Sequence, residues 1–230
     1  MDLEQELEPL LLEDLRLSAE RNESLRAWWD GKHQLNHSWW LSGSPPQGIW
    51  DLLGIDHLLV PGAEVLEIGV GMGNGPKALL DRGCHVSVLD ISSVAIAKVA
   101  EFAQGYLADD LSALTSPPAL PLNCFDVALS HLVAQHMTDE DLTAQIHAVV
   151  RALKPTGLFA LHFPSYVNPA QPFDETLRMA KGGGVCRSPE RMEELAQAAG
   201  AKVSCVRREI YKHRDVVYLN AIHLTRKESQ

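Results

Sequence analysis

The sequence predicts an α/β fold, a doubly wound and mostly parallel sheet of seven strands preceded by a helical extension. Three observations predict it. Apolar, strand-like runs alternate with helix-like segments from about residue 60 to residue 225, the order that βαβ units with helices on both faces produce. The first such run ends directly in glycines at alternate positions, which makes a tight strand-to-helix turn. A chain of 230 residues supplies one sizeable core, which suits a single α/β domain at 56–230 with an extension at 1–55.

Within the domain, Glu64 to Ile68 is the first strand, and the helix beyond the glycines runs from about Pro76 through Leu80. His85 to Leu89 is a second buried strand, after which Ser92 and Ser93 cap a helix reaching Phe102. Gly105 to Leu107 and Phe125 to Ser130 follow as strands three and four. Thr138, with Asp139, Glu140 and Asp141 in the first turn, opens a helix through Leu153, because acids there complement the helix dipole. Leu158 to Phe163 is the fifth strand. Val167 to Val185, rich in Pro and Gly and lacking periodicity, is an insertion on the acceptor side or a plain surface loop. Ser188-Pro189 opens a helix that stops at Gly200, and the strands Lys202 to Ile210 and Val216 to Leu224 follow with no helix between them.

In the extension, Leu3, Leu7, Leu10, Leu11, Leu15 and Leu17 are interspersed with acids, giving an amphipathic helix that packs on the domain or on a second copy. All five tryptophans fall between residues 28 and 50. Trp28, Trp29, Trp39 and Trp40 either roof a binding site and clasp a flat or cationic ligand or form an apolar plate pinning the extension down. The run Gly43-Ser44-Pro45-Pro46-Gln47-Gly48 breaks any helix and gives a hinge or fixed loop. His33 and His37 stand one helical turn apart, but such a pair is usually solvated, and no metal is expected.

Composition narrows the function. The net charge is −10, from 20 basic and 30 acidic residues, and the basic residues are dispersed, which disfavours a phosphate backbone as partner. No apolar run is long enough for a membrane span, and the start of the chain is acidic and mixed, unlike a signal peptide. Cytoplasmic residence follows as an expectation. The isolated Cys84, Cys124, Cys186 and Cys205 fit buried thiols better than a disulfide or zinc frame.

The chemistry is concentrated where the first strand passes into Glu67, Gly69, Gly71, Gly73 and Gly75. Glu67 would repel a pyrophosphate, whereas it accepts hydrogen bonds from a cationic amine or a ribose. Seventeen residues past Gly73, Asp90 ends the second strand, where an acid either chelates two ribose hydroxyls or caps the next helix. Together these residues favour a sugar-bearing cofactor across the carboxyl ends of adjacent parallel strands.

On these residues the chain resembles the class I S-adenosylmethionine-dependent methyltransferases, whose first motif is an acid followed by Gly-x-Gly-x-Gly. The resemblance continues through Leu89-Asp90, Ala108-Asp109-Asp110-Leu111, Phe125 to Ser130, and Leu153 to Leu161. One departure is Thr156, where the family often carries Gly; Gly157 remains. The resemblance implies a Rossmann-like sheet ending in an antiparallel pair, with S-adenosyl-L-methionine as cofactor and S-adenosyl-L-homocysteine as product. It implies that Glu67 with Gly69, Gly71 and Gly73 meets the methionine part, that Asp90 holds the ribose, and that Asp109 or Asp110 contacts the adenine. Ile91, Leu111 and Ser130 complete the expected cofactor set.

Methyl transfer needs a nucleophile in line with a sulfonium methyl and, for an oxygen or protonated amine, a route for the proton. His131, His136 and Tyr166 are the candidate bases, and His162 is placed to touch the acceptor. The expected function is methyl transfer to an oxygen or nitrogen of a small molecule, with no DNA or membrane partner and a homo-oligomer through the N-terminal helix as the protein partner it allows. A protein or RNA methyltransferase, a nicotinamide dehydrogenase and a non-catalytic S-adenosylmethionine- or nucleotide-binding subunit are the competing readings.

Overall fold

The computed structural model describes residues 25–34, 46–108, 120–166, 187–213 and 215–227. A helix at residues 25–34 (α1) and another at Pro46–Leu53 (α2) precede the sheet. The remaining elements are β1 (Glu64–Ile68), α3 (Asn74–Asp81), β2 (His85–Asp90), α4 (Ser93–Val99), β3 (Gln104–Leu107), β4 (Phe125–Ser130), α5 (Asp139–Ala152), β5 (Leu153–Tyr166), α6 (Pro189–Ala198), β6 (Ala201–His213) and β7 (Asp215–Arg226). The seven strands form one sheet in the order β3-β2-β1-β4-β5-β7-β6. β1 through β5 pair in parallel, and β7 runs antiparallel to both β5 and β6. The register aligns Ile68 with both Leu89 and Ser130, and Ser130 with Leu161, so β1, β2 and β4 end along one edge, past which β5 continues to Tyr166. Ligands in open parallel sheets bind at that edge.

Each face of the sheet buries its own apolar cluster. Leu66, Ile68, Ala128, Phe159, Leu161 and Phe163 pack against Leu142, Ile146 and Val149 of α5 and Met192 and Leu195 of α6. On the other face Val65, Val88, Val127, Leu129 and Ala160 meet Trp50 and Leu53 of α2, Leu79 of α3 and Val99 of α4. Burial on both faces explains why the parallel strands are almost uniformly apolar. α2 belongs to this second cluster although it precedes residue 56.

The helices start where their caps place them. Ser92 Oγ accepts from the Ala95 amide, Thr138 Oγ1 from Asp141, and Ser188 Oγ from Arg191. Three local expectations shift. α2 begins at Pro46, so Gln47-Gly48 lie within a helix where a break was expected; proline is accommodated in a first turn, which needs no amide donor. α4 ends at Val99, ahead of Phe102. β5 begins at Leu153, so Lys154 to Gly157 extend the strand and open a register shift opposite Phe125 to Val127. Lys154 also pairs with Asp126 at 2.7 Å, and Asp126 accepts from the Glu64 amide, so this pair ties strand starts together far from the ligand edge. The leucine-rich helix expected near residues 3–17, and His37, lie outside the described residues.

Candidate cofactor and acceptor site

Strand alternation sends Glu67 to the same face as Val65, beneath the start of α3. The turn above it takes Gly69, Gly71 and Gly73 through the left-handed region, with φ of 78°, 57° and 84°, which only glycine enters without strain. Gly75 is different, because its φ is not positive. A Cβ at Gly75 would overlap Glu67 Oε1 and stand 2.7 Å from Oε2, so the missing side chain makes room for the carboxylate. Oε2 is buried and finds no hydrogen-bond partner among the described residues. Burial without a partner pushes the Glu67 carboxyl up to about 8, and an arriving cationic amine would reverse that shift.

Asp90 closes the other side of the turn. Its Oδ2 accepts from the Val70 amide at 2.9 Å and its Oδ1 from the Ser92 amide at 2.8 Å. Ser92, not Asp90, caps α4. Burial pushes the Asp90 carboxyl up to about 6 against the pull of those backbone donors. Ile91, its neighbour, is buried. Asp109, Asp110 and Leu111 lie outside the described residues, just beyond Ala108. The orphaned Glu67 oxygen, the left-handed turn and the anchored Asp90 are chemically suited to an amino-acid ammonium and a nucleoside sugar.

β4 and β5 supply the second half of the edge. Ser130 and His162 have no solvent exposure, and Ser130 Oγ and His162 Nε2 find no partner among the described residues. The Leu132 amide donates to His162 Nδ1 at 3.3 Å, so the neutral ring carries its proton on Nε2. The His131 ring lies 4.8 Å from that of His162. Burial pulls His131 down to about 4 and His162 to about 3, His131 adding to the latter. Leu132, between them in the loop, adopts φ of 60°, a strained conformation for a residue with a Cβ, costing about 1 kcal/mol or more. A Cβ at Gly69 would overlap Val133 Cγ2, so the glycine turn and this loop are in direct contact.

His136 is held by its neighbours. Gln135 Nε2 donates to His136 Nε2 at 3.2 Å, and the ring meets Trp29 edge to face at 5.0 Å. Burial pulls His136 down to about 4. With its Nε2 lone pair engaged, His136 braces the loop. Trp28 is 43% exposed with Lys32 Nζ 5.1 Å above its ring, while Trp29 packs on the core. Trp39 and Trp40 lie outside the described residues, as does the Tyr166 side chain.

Several residues that sequence reasoning passed over shape this edge. Arg187, buried, donates to the carbonyls of Ala134 and Met137 and pairs with Asp139 at 2.7 Å, fixing the loop that carries His136. From α1, Arg26 Nε and Nη2 donate to the carbonyls of Ile91 (3.2 Å) and Ala108 (2.7 Å). Asp30 accepts from Ser92 Oγ (2.6 Å), Ser93 Oγ and the Val94 amide. Only the four-residue spacing of Arg26 and Asp30 was visible beforehand, and it does not say what they hold. Among the described residues no group of three metal-ligating side chains forms, and no helix is long and apolar enough to cross a membrane.

Comparison with known proteins agrees with this geometry. Residues 65–157 match a family described as a methyltransferase domain. No curated protein sequence matches the chain. Among solved structures, the 1,6-didemethyltoxoflavin-N1-methyltransferase of Burkholderia thailandensis, with 1,6-didemethyltoxoflavin and S-adenosylhomocysteine bound, superposes with a TM-score of 0.69 at 17% identity, covering 91% of each chain. A TehB-like S-adenosylmethionine-dependent methyltransferase from Corynebacterium glutamicum gives 0.60 at 18% identity over 87% of this chain and 99% of its own. Phosphoethanolamine N-methyltransferase 2 of Haemonchus contortus, in complex with S-adenosyl-L-methionine, gives 0.59 at 17% identity over 77% of this chain and 52% of its own. Residues 65–157 match a methyltransferase domain, and the chain has the fold of the class I S-adenosylmethionine-dependent methyltransferases.

Proposed function

We propose that this methyltransferase domain serves methyl transfer to a nitrogen or oxygen of a small molecule whose reacting atom already bears a free lone pair. The observation that carries the reading is the buried polar group where β4 ends beside His162 of β5. Ser130 and His162 are fully buried and His131 stands against His162, a setting that suits a small guest better than the side chain of a folded protein or a nucleic acid. The Burkholderia thailandensis structure, similar over 91% of both chains, is an N1-methyltransferase with 1,6-didemethyltoxoflavin bound, which favours a small-molecule acceptor here.

In this reading Glu67 takes the ammonium of the methionine part and Asp90 the ribose, with Ile91 and whichever of Asp109, Asp110 and Leu111 reach it holding the adenine. The bound cofactor supplies a sulfonium methyl open to in-line displacement. The chain's own contribution is to bind, orient and exclude water. His162, fixed as an Nε2–H donor, offers a hydrogen bond to a carbonyl oxygen or ring nitrogen of the acceptor. His131, neutral across the physiological range, is a weak base suited to an acidic N–H or O–H proton.

Incubation with methyl-labelled S-adenosylmethionine and a panel of heteroaromatic amines, phenols, RNA and protein extract tests the proposal. Label in small molecules, lost in Glu67→Gln, supports it. Label confined to RNA or protein would replace the acceptor class.

A further inference from the structure

α1 lies outside the methyltransferase match, yet it touches three separate segments of the cofactor edge. Arg26 bridges the carbonyls of Ile91, after β2, and Ala108, after β3. The last backbone bond between those strands runs from the Ala108 amide to the Asp90 carbonyl, so the guanidinium spans the two chains just where the ladder stops. Asp30 sits four residues on, receiving the hydroxyls of Ser92 and Ser93 and the Val94 amide. Those hydrogen bonds outweigh the effect of burial and hold the Asp30 carboxyl below its ordinary range, so it is an anion. Ser92 also donates its amide to Asp90, which links Asp30 to Asp90 through one residue. Finally, Lys98 Nζ donates to the His33 carbonyl at 2.6 Å and reaches Met72 Sδ in the glycine turn at 3.4 Å.

We infer that Arg26 and Asp30 are positioning residues for the nucleoside half of the cofactor: they fix the separation of the β2 and β3 ends, so that docking of α1 and binding of the nucleoside form one equilibrium. This rests on the cofactor reading above. A guanidinium bonded to two carbonyls keeps those ends at a set separation. Without it, the turn after β2 is held by the Asp90 and Asp30 carboxylates, neither of which bonds to Ala108.

The test uses the full chain and two probes, S-adenosylhomocysteine and 5′-methylthioadenosine, the second lacking the amino-acid part. In calorimetry, Arg26→Met and Asp30→Asn should each weaken both probes by the same factor, about tenfold to a hundredfold. Arg26→Lys, which keeps the charge and loses the bridge, should fall between Arg26→Met and the unaltered chain. Glu67→Gln should weaken S-adenosylhomocysteine and leave methylthioadenosine within about twofold, because its partner is the missing ammonium. In the unaltered chain, either probe should slow amide hydrogen exchange across residues 26–33, a readout that needs no variant to fold. Unchanged or tighter binding in Arg26→Met, a loss restricted to S-adenosylhomocysteine, or unaltered exchange in α1 would each overturn the inference. Failure of the unaltered chain to bind either probe would overturn the cofactor reading and this inference with it.

Discussion

The carboxyl ends of β1 and β2 lie in one sheet beside the end of β4 and the His162 stretch of β5, yet burial acts on the two sides in opposite senses. On the first side it traps acids, Glu67 pushed up to about 8 and Asp90 to about 6. On the second it traps bases, His131 pulled down to about 4 and His162 to about 3. Both halves are uncharged more often than their side chains would be in water. Near neutral pH Glu67 is mostly protonated while Asp90 is mostly ionised, whereas His131 and His162 stay neutral. Desolvation therefore shifts the acids and the bases of one edge in opposite directions, with backbone donors opposing it at Asp90 and His131 adding to it at His162.

Replacing Glu67 by Gln strikes this contrast hardest. Affinity for S-adenosylmethionine should fall on the order of a hundredfold by calorimetry. The ligand-free chain should respond the other way. Because the folded carboxyl is raised from 4.5 to about 8, its contribution to stability is complete below pH 4.5 and is lost as the pH rises through 8. Thermal unfolding at pH 5 and pH 8 should show a decline in the unaltered chain that Glu67→Gln flattens. Equal slopes would mean that the carboxyl is not buried alone.

Gly75→Ala reaches the same group through packing. The new Cβ overlaps Glu67 Oε1 and must displace the carboxylate, so cofactor affinity should drop about tenfold or more while circular dichroism stays native. On the basic side, His162→Gln should leave cofactor affinity near its original value and alter the acid limb of stability. His162 is lowered from 6.5 to about 3, so its contribution is present above pH 6.5 and disappears as the pH falls through 3. Urea unfolding at pH 7 and 4.5 should show the variant losing less, by up to about 1.4 kcal/mol per pH unit for one group. The smallest effect belongs to Ser130→Ala. Its hydroxyl is buried without a partner among the described residues, so removal should shift ligand-free stability by less than about 1 kcal/mol, towards neutral or stabilising. A larger loss in unfolding measurements would reveal a partner for that oxygen.

The two halves also differed in how far the sequence disclosed them. The glycines, Glu67 and Asp90 fall within a short βαβ stretch, where spacing alone fixes which residues meet. The parallel order of the sheet follows from the same local alternation. His131 and His162 come from strands whose pairing is tertiary, and their contact needed the β4 to β5 register. Gly75 looked like a fourth turn glycine, but its task is to leave space for Glu67, which no local pattern records. The roles of Arg26, Asp30 and Arg187 were invisible for a related reason: they bond to backbone carbonyls and helix ends far away in the chain, and any residue can offer a carbonyl. Trp50, clustered in sequence with the other tryptophans, went to the core instead, with Arg82 4.4 Å above its ring.

The strand order also has a kinetic meaning. β7 is synthesised after β6 but is inserted between β6 and β5, and His223 on it donates to the Leu53 carbonyl at 2.6 Å, joining residues 170 positions apart. Until residues 215–226 exist, the long flank of β5 has no neighbour and α2 lacks that anchor. Assembly on a growing chain therefore waits for a late segment to enter an interior place, with the loop-closure cost and exposed strand edge that such waiting brings.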